Sequence, residues 1–85
     1  MEYVVDVRCD YAEAQGDFTT AAKLMLLEIK SNYDKMPKSN PIYDANFKIA
    51  YLSLWYVISL TIVPETTLSI IKKIRDEMKE TVSSV

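Results

Sequence analysis

Asp6, Asp10, Glu13 and Asp17 are spaced by four, three and four residues, the interval that lines side chains along one face of a helix. A row of carboxylates is the chain's first candidate for chemistry, because hard cations take oxygen ligands. The competing reading, a solvated acidic face, is preferred because no turn gathers the four groups into a cage. Cys9 follows Arg8, and a neighbouring cation can lower a thiol's pKa and make it reactive. More often such a cysteine packs as a small buried hydrophobe. Histidine is absent, which removes the usual general base and the commonest metal ligand. One cysteine with scattered carboxylates does not make a zinc site, and a single glycine cannot form a glycine-rich phosphate loop. No catalytic, metal or cofactor residue is assigned, and the chain reads as a non-enzyme.

Trp55, Tyr51, Tyr56, Tyr43 and Phe47 could offer an aromatic platform to a base or ligand. At helical spacing they read first as core and next as a protein interface. Lys72, Lys73, Arg75 and Lys79 could meet phosphate, but Asp76, Glu77 and Glu80 are interleaved with them. Mixed signs at that spacing describe a solvated helix face.

The element that would position these groups is the stretch 42–63, opened by Asn40-Pro41 and closed by Pro64. Asn40 suits an N-cap, Pro41 the first helical position, and Pro64 stops a helix near Val63. Phe47, Ala50, Tyr51, Leu54, Ile58 and Ile62 share one face, while Ile49, Leu52, Trp55, Tyr56, Val57 and Leu60 fill most of the rest. A helix apolar nearly all round requires burial nearly all round.

Around it the chain spells further helices. Ala21, Ala22, Met25, Leu26, Ile29 and Tyr33 make an apolar stripe within 18–35, and Met36 to Pro41 reads as a loop. Leu68, Ile71, Ile74, Arg75 and Met78 repeat at three and four within 65–81, and the end from Ser83 is expected to fray. Residues 2–11 carry two periods. Tyr3, Val5, Val7, Cys9 and Tyr11 alternate with mostly charged residues, as a strand would. Such a strand has no ladder partner in the chain, and Ala12-Glu13-Ala14-Gln15 is strongly helix-forming, so the helical reading of 2–15 is preferred.

Between the first two segments, Gly16-Asp17-Phe18 followed by Ala21 resembles the turn of a tetratricopeptide-type helical hairpin. The resemblance spans about a dozen residues and implies a helical hairpin with Ala21 at a close helix contact. The chain departs from the family's pattern upstream, where its aromatic and small positions fall on Val5 and Cys9 and an apolar one on Arg8.

With 85 residues this is one small domain, 1–85, an all-α bundle of three to four helices arranged as two helical hairpins. Residues 1–17 hold five acidic groups against Arg8, a net of −4, and 18–40 a net of +2. Antiparallel docking of the two would be complementary, at about 0–1 kcal/mol per exposed pair. The single cysteine and the lack of a signal-peptide pattern suit a cytoplasmic protein.

Surplus apolar surface on the central helix points to a protein–protein interaction module: a small adaptor, regulator or inhibitor, expected as a homodimer. The expected interface is Phe47, Tyr51, Leu54, Trp55, Ile58 and Ile62, and the partner is not named by the sequence. One alternative is membrane attachment through 45–63, although the uncharged run of this segment falls short of a ~30 Å hydrocarbon core. Another is a dimeric ribbon–helix–helix DNA-binding regulator. In that architecture Glu2, Val4, Asp6, Arg8 and Asp10 would face DNA, and phosphates would repel most of them.

Overall fold

The computed structural model describes residues 2–37 and 40–83, with side chains from Val7 onward. Lys38 and Ser39 of the expected loop, and Ser84 and Val85 of the expected frayed end, lie outside the described residues, as does the side chain of Asp6. The chain is all-α: α1 Glu2–Ala14, α2 Phe18–Asp34, α3 Pro41–Leu60 and α4 Glu65–Ser83.

Each helix end follows from local chemistry. At the end of α1 the Asp17 N–H donates to the Ala12 carbonyl and the Gly16 N–H to that of Glu13. Those two bonds form a Schellman cap, which places Gly16 in the left-handed region at φ +76°. Asp17 then caps α2, its carboxylate accepting from the Thr20 N–H at 3.2 Å. Asn40 accepts from the Ile42 N–H at 2.9 Å, with Pro41 at the first position of α3.

Within α1 the helical period prevails over the alternating one. A strand would put Val7, Cys9 and Tyr11 on one side. Instead Cys9 and Ala12, three apart, are buried while Val7 and Tyr11 are exposed. Residues 2–14 therefore offer no ribbon of the kind the DNA-binding reading requires.

The middle of the bundle is α2 rather than α3. It holds eight buried residues among those described, against three on α4 and one, Ile58, on α3. α1 and α4 both pack on α2, and Ala21 and Ala22, wholly buried, present no bulk to hold neighbours away. Ala21 thus sits at a close contact in a helical hairpin. Met25, Leu26 and Leu68 are also fully enclosed, and each stabilises the fold by about 1.5–3 kcal/mol. Val63 tucks under the bundle, and its N–H donates to Thr19 Oγ1 at 3.0 Å, tying the α3–α4 link to the start of α2.

Among the described residues α3 packs against α2 alone. A wholly apolar cleft of about 210 Å³ opens between α3 and α4, floored by Leu26 and Ile29 of α2. The molecule measures 39 × 27 × 20 Å, and its radius of gyration is 13.1 Å. A compact chain of this length reaches about 12 Å, so one helix standing to the side leaves the shape extended.

Candidate protein-docking face

α3 has two apolar faces with different fates. Phe47, Tyr51, Leu54 and Ile58, spaced by four, three and four, turn toward α2. Ile58 is buried, and the other three are half-buried against the core with Trp55 beside them. An aromatic ladder runs along this face. Tyr33 of α2 stacks on Phe47 with centroids 3.7 Å apart, Phe47 lies 5.9 Å from Tyr51, and Tyr51 meets Trp55 edge-on at 6.2 Å. The Tyr33 hydroxyl donates to Asp44 Oδ1 at 2.7 Å, and Lys48 Nζ lies 3.1 Å from Asp44 Oδ2. That hydrogen bond, with burial and the negative charge of Asp44 adding to it, pushes the Tyr33 pKa up to about 12. Stack and hydrogen bond together fix the rotation of α3 about its own axis.

That rotation decides what faces water. Ile42, Ile49, Leu52, Tyr56 and Leu60 are each 65–68% exposed, and with Ala45 they run the length of the opposite face. Val57 flanks this strip, and Tyr43, nearer the Phe47 side, is also exposed. Of the interface residues expected from sequence, five therefore engage the chain's own core. Ile62, just past the end of α3, is 90% exposed. Trp55 lies between the two faces.

The candidate acidic row is dispersed. Asp10 is exposed, Glu13 Oε2 lies 3.4 Å from Lys72 Nζ, and Asp17 spends its carboxylate on the α2 cap. That cap bond holds the Asp17 pKa below the usual range. Among the described residues no cluster of metal-ligating groups forms.

A buried ionic cluster escaped the sequence reading. Glu28 lies deep in α2, with Arg75 Nη1 at 3.7 Å and Lys79 Nζ at 3.5 Å. The Cys9 thiol is fully buried, its Sγ 3.7 Å from both Glu28 Oε1 and the Ala21 carbonyl. Burial pulls the Arg75 pKa down, but the hydrogen bond to Asp76 and the charge of Glu28 outweigh it, so its pKa is raised. The signal was present: Glu28 sits three residues after Met25 and seven after Ala21, on the stripe that faces the core. The cluster joins α1, α2 and α4, and its cations are directed at carboxylates of the same chain.

No known protein family, curated protein or solved structure matches the chain. Among the described residues no helix is long and apolar enough to cross a membrane.

Proposed function

We propose that this protein is a non-enzymatic helical interaction module, a small adaptor, regulator or inhibitor, that binds a protein through the outer face of α3. The observation that carries the reading is the continuous strip of Ile42, Ile49, Leu52, Tyr56 and Leu60 on a helix whose other face is anchored. A typical monomer's largest apolar patch is about 300–600 Å² and is often functional, and here five large apolar side chains, each 65–68% exposed, line one helix face. Trp55 and Ile62, from the expected interface, border it. Phe47, Tyr51, Leu54 and Ile58 serve it indirectly, by holding α3 on α2 so that the strip stays outward. A cytoplasmic setting fits the single cysteine.

The test is photo-crosslinking in the cells that make the protein, with a photoreactive side chain at Leu52 and a control at Ser31 of α2. The reading expects adducts to protein from position 52 and few from position 31. Absence of any protein adduct from position 52 would overturn it.

A further inference from the structure

We infer that the strip on α3 is covered by the same strip of a second copy, the two helices lying antiparallel about a twofold axis between residues 50 and 51. This rests on α3 being a docking face and names its occupant. Ile42, Ala45, Ile49, Leu52 and Tyr56 follow one another at three, four, three and four residues. That is a seven-residue repeat, the pattern by which one helix meets another along its length. The other half of α3 is already seated on α2, and among the described residues no other helix packs on this seam.

Side-chain size sets the direction. In a parallel, in-register pair Ala45 would face Ala45 and Tyr56 would face Tyr56, leaving a gap in one layer and crowding in another. In the antiparallel pair Ile49 meets Leu52 of the second copy and Ala45 meets its Tyr56. These two layers then balance in volume and each occurs twice, while at the ends of the seam Ile42 meets Ser59 of the second copy.

Charge does not oppose the arrangement. The positions flanking the seam are Asn46, Ser53 and Leu60 on one side and Lys48, Trp55 and Ile62 on the other. Lys48 alone is charged, and Asp44 of its own helix already pairs with it. Antiparallel packing brings Lys48 beside the second copy's Trp55, where a cation over an indole is favourable. Four of the five seam residues, Ile42, Ile49, Leu52 and Tyr56, are each 65–68% exposed in the single chain, and this is the surface the second copy would bury.

Sedimentation velocity on the full chain at about tens of micromolar tests the occupant. Wild type is expected as a dimer. Leu52→Glu should weaken the dimer at least about a hundredfold in Kd, since each substitution enters a twofold interface twice, with unchanged helical circular dichroism. Ile70→Glu, on the exposed side of α4, should remain dimeric. A spin label on Tyr43→Cys tests direction, and buried Cys9 should stay unlabelled. The axial rise of a helix and the usual spacing of helix pairs place the two labels roughly 25 Å apart if antiparallel and roughly 10–15 Å if parallel.

A monomeric wild type, or a dimer indifferent to Leu52→Glu, would overturn the second copy as occupant. The shorter label distance would overturn the antiparallel pairing. A monomeric wild type whose position 52 still crosslinks to a different protein would leave the docking face standing and the second copy refuted.

Discussion

The Tyr33 hydroxyl donates a hydrogen bond to Asp44 across the α2–α3 junction, and the bond has a measurable signature. Its folded pKa, about 12, lies above the ordinary 10.0. The contribution of this bond to folding is therefore fully present below about pH 10 and is lost as pH rises through about 12. In a spectroscopic titration of phenolate absorbance, one of the six tyrosines should ionise last, near pH 12, and Asp44→Ala should lower it toward the ordinary range, with burial and Asp34 still raising it. Six tyrosines titrating together in the wild type would mean that the bond is not made. Gly16 carries a different residue-scale claim. A Cβ there meets no atom within 4 Å, so the penalty of Gly16→Ala is backbone strain alone, about 1–2 kcal/mol. Urea denaturation should show that loss, and a smaller one for Gly16→Asn. At the buried cluster, Arg75→Met leaves the Glu28 carboxylate enclosed without its buried guanidinium, with Lys79 Nζ 3.5 Å away. The expected cost is about 3 kcal/mol, and adding Glu28→Gln to it should restore part of that stability. A double-variant loss equal to the sum of those of Arg75→Met and Glu28→Gln measured singly would show that the two charges do not interact.

At the scale of elements, the sequence carried more of the fold than of the site. Helix starts were legible because Asp17, Asn40 and Pro41 each have one physical reason to stand where they do, while α3 ends at Leu60, three residues short of the stop expected near Val63 from Pro64. The alternation in α1 left a strand in competition with the preferred helix, because period two and period 3.6 agree over short stretches and only tertiary burial of Cys9 and Ala12 separates them. The order of the bundle was not legible. α3 is the more apolar helix, yet α2 became the core because Ala21 and Ala22 let neighbours approach from more than one side. Apolar count identifies a helix that wants burial; it does not say which helix supplies the burial. The two faces of α3 are separable by mutation. Leu68→Ala, beneath the core, should cost about 2–5 kcal/mol. Leu52→Ala, measured on protein dilute enough to be monomeric, should stay within about 0.5 kcal/mol of wild type. A large loss from Leu52→Ala in dilute protein would place Leu52 in the monomer's own interior.

For the whole molecule, the candidate interface was half legible. Surplus apolar surface on the central helix follows from its composition, but which face keeps that surface depends on the rotation fixed by Tyr33, Phe47 and Asp44. That is a contact between helices and leaves no local trace. It explains why the expected interface residues largely became the anchor while the strip through Leu52 and Tyr56 became the open side. Hydroxyl-radical footprinting of the protein inside cells, compared with the same protein isolated and dilute, measures this openness directly. Leu52, Tyr56 and Leu60 should be protected in the cell relative to the isolated chain, while Tyr11, Leu27 and Ile70, exposed on the other helices, react alike in both. Undiminished labelling of Leu52 and Tyr56 in the cell would contradict a docking role for α3.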